Sequence, residues 1–393
     1  MNKRKRRRIM LLAILIVLIL ASVVYLSDYY PAAEDDGVFK DVRVSQEEGL
    51  MTFDGPGTGS ALIFYPGGKV EYSAYAPLMS RLAESGIDCF LVDMPVNLAF
   101  FGVDKADEII ETNDYNKWFI GGHSLGGVAA AMYAADHDLE VFKPERIKDE
   151  ASVARLKETG CDLIVVAAFG QILSREVLDI PRLGCINVHA SLLPKLRGAS
   201  PIQTAILDGE KVTGVTIMQM GEGLDTGDML SQVEVEIADD DTGGSLFDKL
   251  AHVGGELLID TIKKLEKGEI TPVPQDEASS SYARMIKKDM GSINWSDDAE
   301  SIERMIRALN PWPSAYTYIN GKTLKIWSAT VTDGSGEIGC VGDVTKDGFS
   351  VYCKNGALRI KELQLEGRKR MSAHDFLLGF PLKEGDRLTS RED

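Results

Sequence analysis

Two runs of this chain carry side chains able to do chemistry. In Gly184-Cys185-Ile186-Asn187-Val188-His189 two polar groups stand two residues apart. On a strand that spacing puts Asn187 and His189 on one face and Ile186 and Val188 on the other. An amide and an imidazole side by side suit a developing oxyanion and a moving proton. Further on, Gly221-Glu222-Gly223-Leu224-Asp225-Thr226-Gly227-Asp228 is a glycine-rich loop. Its glycines permit tight turns that would bring Asp225 close to His189.

The second run, Gly122-His123-Ser124-Leu125-Gly126, has the G-x-S-x-G spacing of a nucleophile elbow and lies between an apolar run and an alanine-rich stretch. Small residues flank the serine so that a strained strand-to-helix turn can close and lift the Ser124 hydroxyl. Pro66-Gly67-Gly68 follows an earlier apolar run, where an oxyanion-hole amide would be found. In this respect residues 50–135 resemble the first half of an α/β-hydrolase. Such a serine needs a carboxylate and then a histidine further along the chain. His137 follows too closely, His189 belongs to the first run, His252 lies in an amphipathic stretch and His374 near the C-terminus. Ser124 therefore reads as an elbow without its triad.

The elements that would position these residues follow from periodicity. Apolar runs at 61–65, 89–92 and 118–120 alternate with helical stretches at 75–84 and 105–111, a rhythm that implies a parallel α/β sheet. Helices are expected at 145–157 and 198–207, and strands at 162–168, 184–189, 212–220 and 229–237. A longer helix starts near Thr242 and stops at Gly268, with Leu246, Leu250, Val253 and Leu257 at helical spacing. Residues 269–281 are a polar linker containing Pro272 and Pro274. Ser296 has the character of an N-cap, and Asn310-Pro311 ends the helix that follows it. From Ser314 onward short alternating strands with glycine turns suggest a small β-barrel.

Bulk composition narrows the class. The 393 residues, 44% hydrophobic and 26% charged, are those of a globular chain of two to three domains. A net charge of −17 argues against a whole-surface nucleic-acid binder while leaving room for a local patch such as Arg368-Lys369-Arg370. Five scattered cysteines without a C-x-x-C pair suggest reduced thiols and no zinc site. Residues 3–8 are all basic, and the apolar run 9–26 is broken only by Ser22. That is long enough for a single membrane pass with its N-terminus inside. The expected organisation is anchor 1–27, spacer 28–58, hydrolase-like fragment 59–138, catalytic core 139–268, linker 269–283 and C-terminal module 284–393.

Beyond the residues themselves, Asn187-Val188-His189-Ala190-Ser191-Leu192-Leu193-Pro194, Arg197-Gly198 and Gly223-Leu224-Asp225-Thr226-Gly227-Asp228 resemble the signature of 10-formyltetrahydrofolate-dependent formyltransferases. With Asn310-Pro311-Trp312-Pro313 and the C-terminal module, residues 139–393 resemble methionyl-tRNA formyltransferases. The resemblance implies a Rossmann-like sheet, 10-formyltetrahydrofolate as formyl donor with no metal, and initiator Met-tRNA as acceptor. It also implies a monomer that works in the cytoplasm, at odds with export behind an anchor. Asn187, His189 and Asp225 would be catalytic; Ser191, Leu192, Leu193 and Pro194 would line the folate site, with backbone near 168–172 holding the pterin. The family's opening segment, with its first strands and a loop that grips the acceptor end, is replaced here by hydrolase-like sequence. The alternatives are a membrane-anchored esterase and an inactive fusion of both parts.

Overall fold

The computed structural model describes residues 42–47, 49–56, 59–68, 70–123, 125–137, 139, 144–167 and 169–390. The apolar run expected to anchor the chain lies outside the described residues, as does Ser124. Among the described residues no helix is long and apolar enough to cross a membrane. Two units emerge, Met1–Lys143 and Pro144–Asp393.

In the first unit the strands β1 (Arg43–Glu47), β2 (Leu50–Asp54), β3 (Ser60–Tyr65), β4 (Asp88–Val92) and β5 (Lys117–Gly122) pair in the order β1-β2-β4-β3-β5. Helices α1 (Ala76–Glu84), α2 (Lys105–Thr112) and α3 (Leu125–Asp136) alternate with the last three strands. Those three are parallel, as their apolar runs and intervening helices require. All five residues of β4 are buried, which only a strand covered on both faces can achieve. The hairpin β1–β2 corrects the expected spacer, for it extends the sheet antiparallel to β4. It escaped detection because β1 is wholly exposed and β2 buries only Phe53, so neither shows an apolar alternation.

The second unit begins with α4 (Glu150–Glu158), β6 (Ile164–Val166), α5 (Arg175–Leu178), β7 (Cys185–His189) and the short β8 (Arg197–Gly198). It continues through α6 (Pro201–Leu207), β9 (Val212–Gln219), β10 (Met229–Glu236), α7 (Gly243–Glu266) and β11 (Tyr282–Ala283). The main sheet runs β10-β9-β7-β6, with β6 outermost. It is mixed, which corrects the expectation of a parallel sheet. Only β6 and β7 are parallel, whereas β9 runs antiparallel to both β7 and β10. The loop joining β9 to β10 is too short for a crossover and makes a hairpin, which sets β10 antiparallel to β9.

Helix α7 covers one face of this sheet. Thr242 caps it as the sequence suggests, its hydroxyl accepting from Ser245 N at 3.1 Å while Ser245 Oγ accepts from Thr242 N at 2.9 Å. Leu246 and Leu250 of α7 share a core with Ile186, Val215 and Ile217. At Gly254 a Cβ would stand 3.3 Å from side-chain atoms of Val188 and Val215, so the missing side chain lets helix and sheet approach closely. The Ile186/Val188 face of β7 is thereby spent on packing. Asn187 and His189 are left for the other.

The C-terminal part holds α8 (Ala299–Ala308), β12 (Ala315–Ile319), β13 (Lys322–Thr332), β14 (Val341–Thr345), β15 (Gly348–Tyr352), β16 (Ala357–Leu365), β17 (Met371–Ser372) and α9 (Ala373–Gly379). Its antiparallel sheet follows the path β12-β13-β16-β15-β14, with β17 beside β16. Residues 385–389 bond to both ends of that path: Thr389 N donates to Tyr318 O of β12 at 2.9 Å, and Val341 N of β14 donates to Asp386 O at 2.7 Å. Helix α8 starts later than Ser296 suggests. Its N-cap is Asp298, and Asn294 Oδ1 takes the Ser296 N–H into a preceding turn.

Candidate active site

Strand β7 delivers the site. Parallel pairing with β6 and antiparallel pairing with β9 fix its register, and Asn187 lies opposite Val166 and Met218. His189 is 5% exposed, and its Nε2 donates to the Leu196 carbonyl at 2.9 Å. A carbonyl only accepts, so this bond sets the ring with its proton on Nε2 and turns Nδ1 toward the loop. There Nδ1 stands 3.7 Å from Asp225 Oδ2. Asn187 Nδ2 points at the other carboxylate oxygen, Oδ1, at 3.5 Å. The structure brings together the three residues that the sequence singled out.

Asp225 is held with care. Its φ of 52° is a left-handed conformation that few non-glycine residues adopt. Gly198 N donates to its Oδ2 at 2.8 Å. The glycine-rich loop closes tightly behind it: a Cβ at Gly227 would overlap Gln219 O at 1.7 Å. Here glycine is required by close backbone approach.

The residues expected to line the folate site divide into two pairs. Ser191 is fully buried, its hydroxyl donating to Lys195 O at 2.7 Å and its carbonyl accepting from Thr216 Oγ1 at 2.7 Å. Leu193 is buried too, its N–H on Thr216 Oγ1 at 3.1 Å and its carbonyl accepting from Gln232 Nε2 at 2.9 Å. These two hold the turn together, while Leu192 and Pro194 are its partly open members. Beyond β6, Phe169 and Ile172 are exposed apolar residues at 42% and 67%. Cys185, at the head of β7, is buried, and that burial pushes its thiol up to about 11. Among the described residues no group of three or more His, Cys, Asp or Glu could hold a metal ion.

Several functional partners were not singled out from sequence: Thr216 and Gln232, which pin the turn, the Leu196 carbonyl and Gln275. Gln275 lies in the segment read as a plain linker. In fact that segment docks on the core, with Val273 bridging Met229 and β11 pairing with β8. Its polar composition gave no apolar signal to find.

In the first unit the elbow's surroundings take another form. Gly67 N, in the stretch expected to supply an oxyanion-hole amide, gives its hydrogen bond to Tyr75 Oη at 3.1 Å. That hydroxyl lies 2.8 Å from His123 Nδ1. His137 is occupied at the far end of α3, with Nε2 3.0 Å from Asp107 Oδ1, Nδ1 2.9 Å from Tyr133 O and its ring stacked on Tyr133.

Residues 61–144 match the alpha/beta hydrolase family, residues 124–262 the formyl transferase family and residues 285–381 the formyl transferase C-terminal domain. The first two matches overlap over 124–144, where an alanine-rich helix suits both. Over 258 residues the chain is 50% identical to a methionyl-tRNA formyltransferase of Agathobacter rectalis, covering 65% of this chain and 83% of that protein. It is 51% identical over 259 residues to that of Lachnospira eligens, covering 64% and 82%. The protein of that name from Geobacter metallireducens is 46% identical over 267 residues, covering 68% and 86%.

Proposed function

Because this chain belongs to the methionyl-tRNA formyltransferase family, we propose that it transfers the formyl group of 10-formyltetrahydrofolate to the amino group of initiator Met-tRNA. The observation that carries the reading is the convergence of Asn187, His189 and Asp225 from one strand and one loop. The acceptor amine attacks the formyl carbon, the carbonyl oxygen takes the negative charge and the nitrogen becomes cationic. Asn187 has a second N–H to offer that oxygen, a contribution worth about 10²–10³ in rate for a donor of this type. The Asp225 carboxylate and His189 Nδ1 face each other across 3.7 Å, a pair able to take the amine proton between them. Collapse reforms the carbonyl, breaks the bond to the folate nitrogen and returns that proton to it.

Leu192, Pro194 and the exposed Phe169 and Ile172 offer apolar surface to the pterin and its linker, with Ser191 and Leu193 as the frame beneath. Phe169 and Ile172 follow β6, whose Val166 is paired with Asn187. We read the C-terminal sheet as a small β-barrel, supported by the segment 385–389 that bonds to both of its ends. On it the Arg370 guanidinium lies 5.1 Å and Lys325 Nζ 5.5 Å from the Trp327 ring centre, next to Arg368 and Lys369, a cationic patch suited to tRNA phosphates. The five-stranded sheet of the first unit we read as a hydrolase half-sheet that contributes no reacting group.

The direct test supplies the purified protein with 10-formyltetrahydrofolate and initiator Met-tRNA and follows formylmethionyl-tRNA by mass. Product that depends on the folate donor supports the reading. No product above the level of a His189→Ala protein refutes it.

A further inference from the structure

The carboxylate of Asp225 is on a residue whose backbone conformation is unfavourable for an L-amino acid, so something outside the turn must hold it. The side chain of Gln275 does this twice. Its Nε2 donates to Asp225 O at 2.8 Å and to Gly227 O at 2.7 Å. Its Oε1 accepts from Arg197 Nε at 2.9 Å. Arg197 is buried, is held at its other end by Glu277 at 2.9 Å, and precedes Gly198, whose N–H holds the Asp225 carboxylate. One amide therefore fastens both the main chain that carries Asp225 and the strand that grips its side chain.

We propose that Gln275 is a positioning residue for formyl transfer, setting Asp225 against His189 and Asn187 through the Asp225–Gly227 backbone; this rests on the reading of the site given above. Only an amide side chain suits the place. It offers two N–H groups to carbonyls and an oxygen to a guanidinium, whereas glutamate has no donor and lysine or arginine no acceptor. The role is separable from folding of the linker, because the Met229–Val273 bridge, the β8–β11 pairing and the Leu196 N to Ser281 Oγ bond at 2.9 Å hold that segment without Gln275.

The test compares wild type with Gln275→Ala and Gln275→Glu in the full chain. A displacement of about 1 Å at a reacting group costs about 10²-fold, so kcat should fall by about 10- to 100-fold in both variants. KM for each substrate should stay within about threefold, since Gln275 is directed at main chain. Hydrogen exchange gives a readout independent of turnover: the Gly198 amide should exchange faster in both variants while the amides of β7 stay protected. Wild-type kcat in the alanine variant, or a KM rise with kcat unchanged, overturns the proposal. So does full rescue by glutamate, which would leave only the Arg197 contact to matter. If the wild type itself transfers no formyl group, the functional reading fails. The exchange arm then still decides whether Gln275 holds Asp225, and unchanged Gly198 exchange counts against it.

Discussion

Each unit of this molecule carries a short sequence run of catalytic type, and the two differ in what surrounds it. In the second unit two members of the trio are oriented by groups outside it: Leu196 O for His189, and Gly198 N and Gln275 for the carboxylate and the backbone of Asp225. In the first unit the polar groups near the elbow satisfy one another. Gly67 N is spent on Tyr75 and Tyr75 meets His123, while His137, at the far end of α3, is bound to Asp107. The contrast teaches that a spacing of residues only names a candidate, while a chain of oriented hydrogen bonds is what lets its groups act together. A nucleophile needs a base, and a base needs its own partner.

The contrast breaks most sharply at His189. His189→Ala should lower formyl transfer by at least about 10²-fold with folding unchanged, since β7 is held by Ile186 and Val188 in the core. Circular dichroism beside single-turnover kinetics checks both halves; an equally fast variant ends the assignment.

Exchange of the first unit sharpens the comparison next. Residues 1–143 are replaced by the opening segment of the Agathobacter rectalis relative, which supplies neighbours for β6, now outermost in its sheet. The rate of tRNA formylation should rise by about 10²-fold, as expected when an acceptor is newly oriented. A folded but no faster hybrid would show that the trio is incomplete as it stands.

A smaller effect concerns the support of the second unit. Asp241 is buried, which disfavours its charge, yet Lys249 at 2.6 Å, Ala238 N at 2.8 Å and Ser245 Oγ at 2.8 Å together hold its carboxyl below the usual carboxylate range. A group whose folded pKa is lowered adds stability above the unfolded pKa and loses it as pH falls through the folded value. Asp241→Asn should therefore cost about 1–2 kcal/mol at neutral pH, the scale of lost charge-assisted hydrogen bonds, and less below pH of about 4. Thermal melts of both proteins from pH 3 to 7 should converge at the acid end; parallel curves would refute the argument.

The smallest effect is expected at the elbow. Ser124→Ala should leave both formyl transfer and background ester hydrolysis unchanged. Labelling of Ser124 by a fluorophosphonate, with a large drop in esterase rate in the variant, would instead place a working site in the first unit. Binding and oxyanion donors alone can reach about 10³–10⁴ over water, so the variant is the necessary control.

The site was legible where chemistry follows from spacing. Asn187 and His189 two apart on a strand must share a face, and the glycines around Asp225 announced a tight loop. Helix α7 was legible from Thr242 to Gly268 because a cap and an apolar stripe at helical spacing are local properties. The hairpin β1–β2 was not, because exposed strands carry no apolar period. The antiparallel course of β9 and β10 depends on loop length against crossover length, which a strand-by-strand reading passes over. Gln275 was hidden because a hydrogen bond between residues fifty apart has no signature in composition.

By itself, then, the sequence determined which side chains are of a reacting type, which face of β7 Asn187 and His189 share, and where the long helix begins and ends. Those follow from side-chain chemistry, period and caps, all of short range along the chain. Tertiary structure alone decided which imidazole nitrogen meets Asp225, that Ser191 and Leu193 frame their turn while Leu192 and Pro194 stay open, and that a linker glutamine holds the acid. Such outcomes rest on which donor lies nearest a given acceptor once distant segments have packed, and hydrogen bonds weaken within fractions of an ångström.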